Sequence, residues 1–357
     1  MPTAERTATP DAAPLLAALR GEPSAHVPVW FMRQAGRALP EYRRIRAGRS
    51  LLQITHEPEL AAEVTLQPVR RYGVDAAILF SDIVTPLEAI GVDLEIKPGV
   101  GPVIASPIRA AADLRVLRTF HPETDAPWLA ETVKLIVSEL KVPLIGFAGG
   151  PFTLAIYLIE GGPSKTQTRT RALMLSDPVT WRHLLEALCD IAIASATAQV
   201  EAGASAIQVF DSWIGSLSGP HYERHVLPVV SRMFARLGAL QVPRIYFGVG
   251  TGHLLELMAE TGPDVLGIDW RVPIDVARAR IPETIALQGN LDPTVCLAPW
   301  AIVREEAESI LDAVPAHGYV FNLGHGVLPE TDPAVMERLA ELVHARGHTD
   351  DRARSRP

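Results

Sequence analysis

The chain has 357 residues but only two cysteines and four lysines. Cys189 and Cys296 are too few and too far apart for a disulfide framework or a paired metal-ligand motif. They suit a reducing compartment, so a cytoplasmic location is expected. Lysine is scarce, and only Lys165 falls near a candidate site, which leaves little for Schiff-base chemistry on an organic cofactor. No His-x-Cys occurs, and no His/Cys pair has metal-ligand spacing, so no metal is expected. No apolar run approaches the ~18 residues of a membrane span. Residues 1–10 lack the apolar core of a secretory signal. A formal net charge of -8 argues against a dedicated nucleic-acid binder. No Gly-x-Gly-x-x-Gly follows a strand. Gly248-Val-Gly250-Thr-Gly252 comes nearest, with the wrong spacing, and reads mainly as a loop of close backbone approach.

What is present is an ordinary globular composition, 48% hydrophobic and 21% charged. One pattern repeats along it. Short apolar runs end in Gly, Ser, Asp or Asn and lead into helical stretches. The runs are Val27–Met32, Ala76–Phe80, Leu144–Ala148, Ala206–Phe210, Arg244–Gly248, Val265–Trp270, Ile285–Gly289 and Tyr319–Leu323. Short runs rich in Val, Ile and Phe are those of parallel strands buried on both faces. Helical spacing marks Pro58–Arg71, Pro178–Glu201 (with Asp177 as N-cap), Pro299–Ala313 and Asp332–Ala345. Asp93–Ile108 alternates and carries turn residues, which predicts a hairpin. Eight strand–helix units predict a single-domain α/β fold, a (β/α)8 barrel over residues 13–347, with tails at 1–12 and 348–357. An open doubly wound sheet is the runner-up.

Chemistry in a barrel gathers at the C-terminal ends of the strands. The first run ends in Arg33-Gln34-Ala35-Gly36-Arg37, and Arg43, Arg44, Arg46 and Arg49 follow. Guanidinium groups match two oxygens of a carboxylate or phosphate at once, so this density on an acidic chain fits a polyanionic small ligand as well as a solvated basic loop. Later ends give Ser81-Asp82, Gly149-Gly150 with Tyr157 on the next helix, Asp211-Ser212-Trp213, Asp269-Trp270-Arg271, and Asn322 with His325 between two glycines. Asp82 suits a helix cap as well as a reacting carboxylate, and Asp211 with Ser212 favours a capping turn. Tyr157 suits packing as well as chemistry, and His325 favours a ligand contact.

Taken in order, several segments resemble the uroporphyrinogen decarboxylase family. They are Met32–Arg37 with Leu39–Arg43, Pro58–Pro68, Ala77–Ile83, Gly149–Leu154, Tyr157–Gly162, Gln208–Trp213 and Asn322–Thr331. The likeness runs from about residue 14 to about 347. Ala38, Gly150 and Ile156 depart from the usual pattern, and none removes a polar contact. The resemblance implies a cofactor-independent, metal-free homodimer that removes the four acetate carboxyls of uroporphyrinogen to give coproporphyrinogen. It implies substrate contacts at Arg33, Gln34, Ala35, Gly36, Arg37, Asp82, Tyr157, Ser212 and His325. Asp82, Arg33 and Arg37 would be the catalytic residues. Two other readings are a thiol- or corrinoid-dependent methyltransferase, which would need a zinc-bound thiolate, and a non-catalytic tetrapyrrole-binding protein.

Overall fold

The computed structural model describes residues 13–346; the expected tails at 1–12 and 348–357 lie outside them. Nine strands follow one another: β1 (Ala77–Ile78), β2 (Leu94–Lys97), β3 (Gly101–Ile104), β4 (Leu144–Gly149), β5 (Ala206–Asp211), β6 (Arg244–Gly248), β7 (Val265–Gly267), β8 (Ala286–Leu291) and β9 (Tyr319–Leu323). Seven of them form one parallel sheet in the order β1-β4-β5-β6-β7-β8-β9. That order is sequential, and helices connect the strands, as repeated strand–helix units require. The remaining pair, β2 and β3, is the expected antiparallel hairpin. It docks on the end of helix Pro151–Glu160, where Ile104 N–H donates to Gly161 O and Ile108 N–H to Leu158 O, each at 2.9 Å.

The first apolar run differs from expectation. Residues 27–32 form no strand and meet β9 through a single bridge, Val29 to Phe321. The reason is local. Pro28 has no N–H to give, and the Val29 N–H donates to the Asp75 carboxylate at 2.7 Å instead of to a strand. Met32 N–H donates to the Asn322 side chain at 3.0 Å. The segment still fills the place between β9 and β1, because Asp75 N–H donates to Val29 O at 2.8 Å. The result is a curled seven-stranded sheet with the eighth position taken by a non-strand segment.

Side chains alternate across this sheet with period two. Trp30, Met32, Ile145, Phe147, Ile245, Phe247 and Val320 pack together on the inner side. Phe31, Ile207, Val209, Tyr246 and Phe321 pack against the helices. Polar side chains also cross the interior: Trp30 Nε1–H donates to Gln288, and Gln288 Nε2–H to Gln208, each at 3.0 Å. Helices stand at Pro58–Tyr72, Pro178–Ala202, Trp300–Ala313 and Pro333–Arg346, within two residues of their sequence-based ranges. Asp177 caps the second, accepting the Thr180 N–H at 3.0 Å. Both cysteines are buried, and burial pushes their thiols up, to about 11 for Cys189 and about 12 for Cys296.

At the N-terminal face of the sheet, His26 and His344 each bring Nε2 to 2.8 Å from one oxygen of Asp75. These three residues are far apart in sequence, so spacing could not reveal the cluster. Burial would raise the Asp75 carboxyl, but the hydrogen bonds of His26, His344 and Val29 N–H hold it below its ordinary 3.8. The bond to Asp75 raises His26 above 6.5 against the opposing effect of burial. A raised histidine contributes stability that is complete below 6.5 and fades as pH rises through its folded value; a depressed carboxylate contributes stability that fades as pH falls through its own. His26→Ala should therefore cost about 1 kcal/mol in urea unfolding at pH 6. The difference from wild type should shrink at pH 8.

Candidate active site

The sheet sends its C-terminal strand ends toward one cleft, and Arg33 is the residue that most of that cleft shares. It adopts φ +60°, left-handed backbone that a non-glycine residue takes only when its surroundings dictate it. The surroundings are specific. Gln34 is buried; its Oε1 accepts the Phe31 N–H at 3.0 Å and its Nε2–H donates to Ala76 O at 2.9 Å. Its side chain is thus committed to the loop, and what it offers a ligand is backbone. Gly326 lies against the Arg33 stem so closely that a Cβ there would collide with it.

Three expected residues lie within reach of the Arg33 charge. The guanidinium charge acts on Asp82, Tyr157 and His325 alike. Asp82 is partly buried just beyond β1. Burial raises its carboxyl, while the N–H groups of Val84 and Ile83 and the Arg33 charge pull it back. Oδ1 accepts the Val84 N–H at 3.1 Å, so the carboxylate does form a local turn without thereby leaving the site. Tyr157 stands on helix Pro151–Glu160 and accepts the Trp213 indole N–H at 3.4 Å. Burial raises its phenol, and the Asp82 charge adds to the rise.

His325 follows β9 in a loop, as its flanking glycines suggested. Its Nδ1 accepts the Gly326 N–H at 2.7 Å, so the neutral ring carries its proton on Nε2. Burial, then the charges of Arg33 and Arg271, lower it to about 4, with Asp269 opposing. It is a neutral hydrogen-bond donor at ordinary pH.

Arg37 and Ser212 are placed differently. Arg37 is exposed. Its carbonyl accepts from Arg43 at 3.1 Å, and its charge reaches Tyr42 rather than Asp82. Ala35 and Gly36 form a bend between the two arginines, and Arg37 and Ala38 form the turn after it, closed by the Leu39 N–H to Gly36 O bond at 3.0 Å. Ser212 is half-buried beside Trp213 at the end of β5.

Asp211 is not a cap for the helix after it. It is fully buried and serves the helix before it, accepting the Thr153 N–H at 2.9 Å and the Thr153 hydroxyl at 2.6 Å. Tyr246 donates to its other oxygen at 3.3 Å. Thr153 in turn accepts the Trp213 N–H at 3.1 Å. A Cβ at Gly150 would strike the Asp211 carboxyl, so glycine there allows the close approach. Sequence reading also missed an aromatic arc over the strand ends. Phe147, Phe210, Phe247, His325 and Trp270 follow one another with ring centroids 5.5, 6.1, 6.2 and 6.3 Å apart. The signal was the Phe that recurs near the end of β4, β5 and β6. A cleft that joins cations to a carboxylate, a phenol, a neutral imidazole and aromatic rings can hold an acidic organic molecule and stabilise charge on it.

Fold and cleft together define a parallel α/β protein whose functional groups stand at its strand ends. A family model described as "Uroporphyrinogen decarboxylase (URO-D)" matches residues 11–346, and the chain belongs to that family. It is 56% identical over 343 residues to a protein of Thermobifida fusca named uroporphyrinogen decarboxylase, covering 96% of this chain and 95% of the relative. A protein of the same name from Streptomyces avermitilis is 55% identical, covering 96% and 97%. Among solved structures, a methyltransferase from Methanosarcina mazei superposes with TM-score 0.75 at 22% identity, covering 92% of this chain and 96% of that one. That likeness concerns the fold alone.

Asp211 yields a pH prediction. Burial pushes its carboxyl from 3.8 up to about 6, against the hydrogen bonds of Thr153 and Tyr246. The folded state therefore holds this proton more tightly than the unfolded chain, and the protein loses stability as pH rises from 3.8 through about 6. Asp211→Asn keeps the shape and cannot ionise. Its unfolding free energy relative to wild type should improve over that interval in a urea titration series.

Proposed function

We propose that this chain is a uroporphyrinogen decarboxylase. It would convert the four acetate side chains of uroporphyrinogen to methyl groups, giving coproporphyrinogen, with residues 13–347 as one catalytic domain. The convergence of Asp82, Tyr157 and His325 around Arg33 carries the reading, and the curated relatives bear the same name.

The substrate carries eight carboxylates, and loss of carbon dioxide from an acetate arm leaves an electron pair that needs a sink. The pyrrole supplies one. Protonation of a ring carbon makes the ring a cation; the C–CO2 bond breaks and its electrons enter that cation. A proton then joins the exocyclic carbon to make the methyl, and the ring-carbon proton departs. One proton replaces one carbon dioxide at each arm.

Asp82, as an anion, would accept the pyrrole N–H groups and stabilise the developing positive ring; those same N–H donors favour the ionised carboxylate. Arg33 and Arg37 would clamp carboxylates of the substrate, fixing orientation. Ala35 and Gly36 would offer backbone, as would Gln34. Tyr157, Ser212 and the Nε2–H of His325 would bond peripheral carboxylates. No cofactor or metal enters this scheme. A homodimer and a cytoplasmic location belong to the same reading; among the described residues no helix is long and apolar enough to cross a membrane.

Anaerobic incubation of the purified chain with uroporphyrinogen, followed by chromatography of the oxidised products, should show seven-, six-, five- and four-carboxylate species. Asp82→Asn should keep the wild-type thermal transition and lose about 10²–10³ in kcat. Near-wild-type turnover in that variant removes Asp82 from the mechanism.

A further inference from the structure

The scheme above leaves one group at the strand ends unused: Asp269, Trp270 and Arg271, just beyond β7. Asp269 is 1% exposed. Its carboxylate accepts the N–H groups of Gly250 and Arg271 and, at 3.0 Å, the Arg271 Nη1–H. Arg271 is thereby anchored along one edge. Its guanidinium carbon lies 3.8 Å from the centroid of the Trp270 ring. The side chain is 50% exposed, and among the described residues its Nε and Nη2 have no protein acceptor.

Trp270 in turn stacks on His325, the rings 28° apart in plane. Two glycines make that approach possible. A Cβ at Gly324 would collide with the Trp270 backbone, and one at Gly326 with Arg33. His325 is therefore linked to Arg271 through the Trp270 ring, and its neighbour Gly326 lies against the Arg33 stem. Both cations act on it. Arg33 also acts on Asp82 and Tyr157.

We propose that Arg271, with the Nε2–H of His325 and the near edge of Arg33, forms a second carboxylate subsite. It would take a peripheral carboxylate on a pyrrole ring other than the one at Asp82. The inference rests on the decarboxylase reading for the identity of the ligand. Two guanidinium charges act on one neutral N–H donor, and Asp269, the carboxylate bonded to Arg271, already accepts three hydrogen bonds. An incoming carboxylate completes this set with charge-assisted bonds. Stacking on Trp270 and the Asp269 anchor hold the planar fork ready, so little side-chain freedom is lost on binding.

The test is fluorescence titration of the full chain and its Arg271→Gln, Arg271→Lys and Asp269→Asn variants with two oxidised probes, uroporphyrin and coproporphyrin. Wild-type carbon dioxide release from uroporphyrinogen is measured in parallel. Arg271→Gln should weaken uroporphyrin binding by about 10-fold to 100-fold. It should raise KM by a similar factor and move kcat by less than about 3-fold. Arg271→Lys should recover only part of the loss, since a point charge lacks the fork. Asp269→Asn should fall between wild type and Arg271→Gln. Equal weakening with both probes assigns a propionate to the subsite; weakening with uroporphyrin alone assigns an acetate. Unchanged affinity of folded Arg271→Gln for both probes overturns the proposal. Wild type that binds both probes but releases no carbon dioxide overturns the decarboxylase reading instead.

Discussion

Asp75 and Asn322 hold in place a segment that no ladder holds. Residues 28–32 lack the hydrogen-bond pattern of a strand, yet they sit between β9 and β1 with Trp30 and Met32 inward and Phe31 outward. Side chains at the two neighbouring sheet positions take over the donors that a strand would have paired: Asp75 takes Val29, and Asn322 takes Met32. A laddered strand would continue in extended geometry. This segment instead turns at once into the left-handed backbone of Arg33. The cleft's principal cation therefore depends on a backbone irregularity that buried polar side chains sustain from the adjoining strands.

The electrostatics of the cleft follow from that placement. One guanidinium is shared by a carboxyl, a phenol and an imidazole, and it favours the ionised form of the first two and the neutral form of the third. Burial works against ionisation of Asp82 and Tyr157 and reinforces the neutrality of His325. The groups thus sort into a carboxylate that a cationic ring can stabilise and neutral donors that a carboxylate can accept from. Beneath them, Asp211, Thr153 and Trp213 join the end of β5 to the start of the helix that bears Tyr157. The phenol is therefore positioned by buried hydrogen bonds as well as by packing.

Much of this could be read in the chain itself. The helices that start at prolines 58 and 178 were legible because proline at a first helical position and the Asp177 cap are local signals. The buried strands were legible as runs such as Leu-Ile-Gly-Phe-Ala-Gly. The first run misled in part, since its period-two apolar pattern is real while its pairing with β9 is reduced to a single bridge, Val29 to Phe321. Periodicity reports which side a residue faces, and Pro28 with Asp75 decided the pairing. His325 was legible from its glycines. Asp211 was only half legible: a structural role was foreseen, but its partner lies 58 positions away at Thr153. The aromatic arc, the triad of His26, Asp75 and His344, and the anchoring of Arg271 arise from contacts between distant strands, and no local spacing encodes them.

The two cysteines have a practical consequence. Buried thiols held near 11 and 12 carry almost no thiolate at neutral pH, and thiolate is the form that reacts with alkylating and oxidising reagents. A porphyrinogen ligand demands reductants in the buffer, and those reductants guard the ligand rather than the polypeptide. The natural chain is also a quiet background for chemistry: a single cysteine introduced on an exposed helix would be the one addressable sulfur, ready for a spin label or fluorophore without removing any native residue.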